Sequence, residues 1–266
     1  MSALSPRPSP IAVVPALLLV VISLWEVCAA RRDAISVPGD AGWHAAAERV
    51  RAGYQPGDLI VFAPDWVDPV GRSQLGDLIP LAAAARMDAA RYGRIWELSI
   101  RGARSPDTAG LEPVVTEAHD GVVVRRFERA PANVVGDVLA RLPTATSDGA
   151  RPTLELAEVG FAPHRCLQVS PAPGAPVRIT FPQLPLGKEL VGYVGIADVF
   201  TRRDVRSPGR LDVELGGQLI ASAVAGVDDG WVRFAAATPP GAADVTFVVR
   251  ATAPNRRICF AAEARQ

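Results

Sequence analysis

The sequence predicts an α/β small parallel-sheet domain followed by an all-β sandwich of jelly-roll type, preceded by a hydrophobic N-terminal segment. An apolar run opens the chain, and helix-like and strand-like segments then alternate up to residue 100. From Pro152 onward, short strands recur between Pro and Gly turns. These patterns divide the chain into a signal peptide or N-terminal membrane anchor (1–30), the α/β domain (36–130), a linker (131–151) and the sandwich domain (152–266).

The composition is that of a globular protein without a charge bias. Hydrophobic residues make up 49% of the 266 residues and charged residues 21%, a balance that favours a packed core over disorder. The formal net charge is zero, so no basic field is available to hold nucleic acid. We therefore expect no nucleic-acid partner.

The N-terminal segment has the features of an export signal. Arg7 precedes an apolar run from Ile11 to Leu24, and small residues before Arg31 would allow cleavage after Ala30. Fourteen apolar residues reach only about 21 Å as a helix, but counting on to Ala30 gives enough length to span a bilayer. A cleaved signal peptide, an uncleaved anchor and a buried core helix are the alternatives. The first two imply a periplasmic or cell-envelope location, although Arg31 and Arg32 would then lie on the outer side, against the usual charge rule.

The α/β prediction depends on four segments. Trp43–Arg51 has the spacing of an amphipathic helix, and Asp58–Ala63 is a continuous apolar run typical of a strand buried on both faces. Gln74–Tyr92 has helical spacing, with Pro80 kinking or splitting it. Arg94–Ile100 is the next strand.

Beyond residue 100, a loop precedes a predicted edge strand at Gly121–Phe127, and Asn133–Leu142 is a candidate short helix. The predicted sandwich has eight strands, namely Arg165–Val169, Val177–Phe181, Glu189–Ile196, Arg210–Leu215, Gln218–Ala223, Gly230–Ala235, Asp244–Ala251 and Arg257–Ala262.

Two cysteines follow the N-terminal segment, Cys166 in the first of these strands and Cys259 in the last. First and last strands of a sandwich are often neighbours, so a disulfide is geometrically reasonable and would close a loop of about ninety residues. Two buried thiols are the alternative. Neither cysteine has the spacing of a metal ligand, so we expect no metal site.

Part of the first domain resembles a known family. Trp43, the stretch Tyr54–Val61 and the stretch Arg94–Leu98 are similar to the soluble extracytoplasmic part of membrane glycosyltransferases that use lipid-linked sugars, the protein mannosyltransferase and aminoarabinose transferase group. Members of that family carry their catalytic carboxylate in a loop between the first transmembrane helices. This sequence has at most one span and no residue at that position, so the resemblance implies a detached accessory domain.

The second domain resembles the galactose-binding-like β-sandwiches often used as carbohydrate-binding modules. The resemblance is carried by Asp228–Phe234, by Thr238 and by the strand Val245–Val249. It implies glycan binding, and Tyr193 and Trp231 are then possible glycan-binding residues. Packing in the core is the alternative role for both aromatic side chains.

The densest polar cluster of the first domain follows its first strand. Asp65, Trp66, Asp68, Arg72 and Asp77 leave the carboxyl end of that strand, where open α/β sheets bind ligands. Paired carboxylates with an arginine suit acid–base chemistry, and an indole beside carboxylates suits sugar recognition. The alternative is an ordinary surface in which the charges pair and the indole packs.

A second charged cluster, Arg86, Asp88, Arg91 and Arg94, lies at the end of the predicted helix. Its spacing favours pairing on the helix surface, with an anion site as the alternative. The sequence has no nucleophile elbow, no His-Glu-x-x-His pair and no phosphate-binding glycine loop, so we expect no cofactor.

These observations favour an exported or membrane-anchored, non-catalytic protein that binds glycan or a glycan-handling membrane partner. The alternatives are an enzyme that acts on a sugar or sugar phosphate through Asp65, Asp68 and Arg72, and a structural protein of the cell envelope.

Overall fold

The computed structural model describes residues 10–35, 37–197 and 207–266. Within them the chain divides into two compact units, each drawn from several stretches of sequence. The first unit comprises Met1–Tyr54, Val61–Gln74 and Glu97–Arg126, and the second comprises Gln55–Ile60, Leu75–Trp96 and Phe127–Gln266. The helices are α1 (Pro10–Ile35), α2 (Asp40–Gly53), α3 (Asp68–Leu75) and α4 (Leu81–Ala84).

Helix α1 contains the apolar N-terminal segment and has 26 residues, or about 39 Å at 1.5 Å per residue. Its stretch Val14–Arg32 has a mean hydropathy of 1.8 and is not buried against the rest of the protein. A buried core helix is therefore excluded. The helix is long and apolar enough to cross a membrane, and N-terminal signal sequences meet the same criteria.

Helix α2 confirms the predicted amphipathic helix, since one face is buried through Trp43, Ala46, Ala47 and Val50. Gly42, near its start, lies against the backbone of a turn at Asp120, where a Cβ atom would be 2.7 Å from the carbonyl oxygen. Only glycine allows this approach.

The first unit contains most of a four-stranded sheet with the order β1-β2-β4-β3. Its strands are β1 (Leu59–Ala63), β2 (Arg94–Ile100), β3 (Pro113–His119) and β4 (Val122–Glu128). The predictions of β1 and β2 are confirmed. Strand β4 is not at the edge as predicted, because β3 pairs outside it through a two-residue turn, Asp120 and Gly121, both with positive φ. A turn this short joins antiparallel strands, so the predicted parallel sheet contains an antiparallel pair, β3 and β4.

The second unit contains a β-sandwich, and all eight predicted sandwich strands are present. One sheet has the order β13-β10-β15-β8-β7 with β5 also paired to β15, and the other has the order β12-β11-β14-β9-β6. The strands are β5 (Val134–Asp137), β6 (Thr146–Ser147), β7 (Thr153–Val159), β8 (Ala162–Val169), β9 (Val177–Leu186), β10 (Glu189–Ile196), β11 (Gly209–Leu215), β12 (Gln218–Ala225), β13 (Val232–Ala237), β14 (Gly241–Ala251) and β15 (Ile258–Arg265). Phe181, Phe247 and Phe260 pack in the core between the sheets.

The predicted linker contributes two strands to the sandwich. The candidate helix Asn133–Leu142 is wrong, because its first half is β5, which pairs with β15. Gly136 passes so close to the carbonyl oxygen of Pro185 that a Cβ atom would lie 2.2 Å from it. Val135 and Leu139 pack against the sandwich core. This tertiary packing outweighs the helical preference that the local spacing indicated.

The predicted helix at Gln74–Tyr92 is confirmed only in its first half, where Pro80 splits it, which is one of the two expected outcomes. Helix α3 ends at Leu75, a 3₁₀ turn follows at Gly76–Leu78, and α4 begins directly after Pro80, but residues 85–92 are not helical. Beyond α4 the chain runs over the sandwich. The backbone N–H of Arg165 donates to the carbonyl oxygen of Ala85 at 2.9 Å, so this carbonyl group is bonded to the sheet instead of to a helical turn.

Cys166 and Cys259 form a disulfide between the paired strands β8 and β15, with Cα atoms 5.6 Å apart. It lies in a small apolar cluster with Ala157, Val159 and Ala197. This cluster is on the face of the sheet that points away from the main core.

Reduction of this disulfide should lower the free energy of unfolding by about 4 kcal/mol, because the bond closes a loop across 93 residues of sequence. The measurement is urea unfolding of the full chain in detergent, with and without reductant. Cys28→Ala is the control, since Cys28 is a free, exposed thiol. An unfolding midpoint that does not move with reductant contradicts the prediction.

Candidate ligand-binding site

A cleft of about 370 Å³ lies in the second unit and is lined by residues of α4, of the segment that follows it, of β5, β7, β8 and β15, and of the turn after β5. Six charged side chains line it, Arg86, Asp88, Arg91, Asp137, Arg165 and Glu263. The rest of the lining is mainly apolar and includes Met87, Tyr92, Leu139 and Leu154. Its volume is within the usual range for small-molecule sites.

The floor of the cleft comes from the alternation of β15. Phe260, Ala262 and Ala264 belong to the core between the two sheets, so Glu263 and Arg265 point to the opposite face. Ala261, on the same face as Glu263, also lines the cleft, and its small side chain leaves space above the strand. The charged pair therefore stands beside an open floor.

Five side chains form one chain of alternating charge along the cleft. Asp137 pairs with Arg91 at 2.6 Å, and Arg91 pairs with Glu263 at 2.7 Å. Glu263 then pairs with Arg265 at 3.0 Å, and Arg265 pairs with Asp88 at 2.9 Å. Each arginine therefore bridges two carboxylates, and the end carboxylates also accept hydrogen bonds from nearby backbone N–H groups.

The centre of this ion chain is buried, since the side chains of Arg265 and Glu263 are 6% and 7% exposed. Burial alone would lower the pKa of Arg265, but its hydrogen bonds and charge interactions with Asp88 and Glu263 outweigh that effect and raise the pKa. The pKa of Arg91 is raised against the same cost of burial, by Glu263 and Asp137. Both guanidinium groups are therefore fixed positive charges.

An aromatic stack holds the wall of the cleft in place. Trp231 stacks with His164 at 4.5 Å and with Tyr193 at 5.9 Å between ring centroids. The indole N–H donates to the carbonyl oxygen of Met87 at 3.1 Å, and Nδ1 of His164 lies 3.1 Å from the carbonyl oxygen of Arg86. Tyr193 and Trp231 thus lie behind the wall and are not among the residues that line the cleft. A glycan-binding role for them stays a prediction.

The structure places four of the other predicted site residues in the first unit, after β1. Asp65 and Trp66 are exposed, and the guanidinium group of Arg101 lies 5.7 Å from the centre of the Trp66 ring. Arg72 donates to Asp68 one turn along α3, as a surface pair would. These residues remain a predicted site.

Asp77 is exposed in the 3₁₀ turn of the second unit. The second charged cluster does not pair along a helix as expected, because Asp88 and Arg91 bond to β15 instead. Asp137 and Glu263 were not predicted as site residues. The signal for Glu263 was present, since charged residues alternate with alanines at the end of the last strand.

No family model matches this chain, and no curated protein does. Similar solved structures include the CBM51-2 and INT domains of ZmpB from Clostridium perfringens, with 14% identity, 46% of this chain and 28% of that chain covered, and a TM-score of 0.31. CBM51 from Clostridium perfringens GH95, in complex with methyl-galactose, has 12% identity over 45% of this chain and 87% of that chain, with a TM-score of 0.31. The C-terminal CBM6 of LamC from Zobellia galactanivorans has 12% identity, with 45% of this chain and 98% of that chain covered and a TM-score of 0.28.

These similarities are limited. The chain spans 28% and 20% of the first two ZmpB structures, and every reported TM-score is below 0.5. The neighbours are carbohydrate-binding β-sandwiches, but the sandwich assignment here depends on the strand order of the second unit itself. The resemblance of the first domain to membrane glycosyltransferases gains no support from these comparisons.

The packing of His164 predicts that acid weakens the fold. Burial lowers the pKa of His164 below its ordinary value of 6.5, so below that pH the unfolded chain binds a proton that the folded chain binds less readily. The free energy of unfolding should therefore fall as the pH drops from 7.5 through 6.5 to 5.5. Thermal unfolding at these pH values measures the effect.

His164→Phe, which keeps a stacking ring without a titrating group, should flatten this pH dependence. His44→Phe, on the exposed side of α2, is the matched control and should retain it. A pH dependence that is equally steep in His164→Phe and in the unmodified chain contradicts the assignment.

Proposed function

We propose that this chain is an extracytoplasmic protein, exported or held at the membrane by α1, that binds a glycan in the cleft of the second unit and does not catalyse a reaction. The observation that carries the proposal is the combination, in one cleft of about 370 Å³, of a fixed chain of charged side chains with an apolar lining.

A sugar offers hydroxyl groups that both donate and accept hydrogen bonds, and ring faces of C–H groups that are apolar. The carboxylates of Asp88 and Asp137 supply acceptors, since each has about four lone-pair sites and the bonded arginines do not use all of them. Leu139, Leu154 and Tyr92 supply apolar surface in the same cleft. Both kinds of surface are what small-molecule sites need.

The charge pattern supports binding over catalysis. Each carboxylate that lines the cleft is paired with an arginine of the ion chain. General acid–base catalysis requires a carboxyl group that exchanges a proton with the substrate. A carboxylate that is paired with a guanidinium group is better suited to accept hydrogen bonds from a ligand than to exchange a proton with it.

The first unit offers a second location for a sugar. The Trp66 side chain is 59% exposed, and a guanidinium group approaches its ring. An indole this exposed is a suitable stacking surface for a sugar ring. The enzyme alternative, through Asp65, Asp68 and Arg72, belongs to this location and is tested with it.

Filling the cleft should weaken glycan binding. Ala140 is exposed and lines the cleft, so Ala140→Trp should weaken the binding of a methyl glycoside or of N-acetylglucosamine by at least about 10-fold, because the added ring occupies the ligand's space. Titration calorimetry of the full chain, in a detergent without a sugar headgroup, measures the affinity.

Ala242→Trp is the matched control, since Ala242 is exposed on β14 of the other sheet. The control should bind as the unmodified chain does. Binding that survives Ala140→Trp but is lost in Trp66→Ala would move the site to the first unit. No binding of any glycan to the unmodified chain would refute the proposed function.

A further inference from the structure

We infer that the ligand of the cleft is an anionic sugar, one that carries a carboxylate or a phosphate group, and that Arg165 receives this group. This inference rests on the proposed function and specifies its class of ligand.

The charges of the cleft do not cancel once the buried arginine is included. Arg86, Arg91 and Arg165 line the cleft together with three carboxylates, and Arg265 pairs with two of those carboxylates from beneath the lining. All three carboxylates are taken up by the ion chain, which uses Arg91 and Arg265. The four arginines exceed the three carboxylates by one formal charge, and Arg165 is not part of the ion chain.

Arg165 is the guanidinium group that remains available. Among the residues that the structure describes, its side chain forms no hydrogen bond and no ion pair, although its backbone is held by Ala85. The side chain is exposed at the cleft. An arginine in such a position can offer two parallel N–H donors to a carboxylate or a phosphate.

Two leucine side chains lie beside Arg165 on the neighbouring strand. Its partner on β7 in the strand register is Leu156, and the next residue on the same face of β7 is Leu154, which lines the cleft. Neither leucine can pair with the guanidinium group, and Glu158, the residue beyond Leu156 on this face, forms no ion pair with it. An anionic group bound here would therefore meet an unpaired cation beside an apolar surface.

Arg86 extends the positive side of the cleft and is itself held in position. Its guanidinium group donates to the carbonyl oxygen of Ala83 at 2.9 Å, and its own carbonyl oxygen contacts the His164 ring. The two arginines outside the ion chain thus line the same cleft, which is the arrangement that a ligand with a localised negative charge requires.

Three probes that share one sugar ring test the inference, namely methyl glucoside, glucuronic acid and glucose 6-phosphate. Calorimetric titration of the full chain should give Kd values for the two anionic probes at least about 10-fold below that of methyl glucoside. The two anionic probes distinguish a carboxylate ligand from a phosphate ligand. Arg165→Gln should bring the three Kd values to within about twofold of one another.

Arg250→Gln is the control, because Arg250 lies on β14 in the other sheet and its loss changes the net charge by the same amount. The control should keep the preference for anionic probes. Loss of the preference in the control as well would assign it to the overall charge and overturn the role of Arg165. A preference that persists in Arg165→Gln would overturn it too.

The inference and the proposed function fail in different ways. Equal binding of all three probes, unchanged in Arg165→Gln, overturns the anionic class and leaves glycan binding in place. If neither these probes nor the neutral glycans bind the unmodified chain, the proposed function falls, and the inference falls with it.

Discussion

The buried pair Glu263 and Arg265 is the constraint on which the second unit's cleft depends. Removing two opposite charges from water is costly, and the cost is recovered only when every remaining bond of the pair is satisfied. Asp88 and Arg91 complete those bonds from the segment after α4. The sheet and this segment therefore stabilise each other through these ion pairs. The cleft is the space between them.

The same segment is held by its backbone as well as by its charges. Arg129 donates to the carbonyl oxygens of Ala89 and Tyr92, and Trp231 donates to that of Met87. Carbonyl groups that would be bonded within a helix are bonded here to the side chains of Arg129 and Trp231. A non-helical wall held in this way is already formed before any ligand arrives, so binding has little ordering cost.

Local patterns were enough to predict the strands but not the wall. Strands β1 and β2 and the eight sandwich strands follow from apolar runs between turn residues, which are local features. The segment after α4 is rich in alanine and so resembles a helix, yet its partners are far away in the sequence, with Asp88 177 residues from Arg265 and Arg91 172 residues from Glu263. No local pattern contains such contacts. The only sequence-based expectation that pointed to the cleft was the alternative of an anion site at the cluster Arg86, Asp88, Arg91 and Arg94.

Stability and recognition use different arginines in this cleft. A ligand carboxylate that bound Arg91 would share a guanidinium group that Asp137 and Glu263 already bind, and both carboxylates would repel it. A carboxylate that binds Arg165 breaks no existing bond among the described residues, because that guanidinium group stands outside the ion chain. The geometry thus allows an acidic sugar to gain a charge-assisted bond while the buried charges that support the fold remain paired.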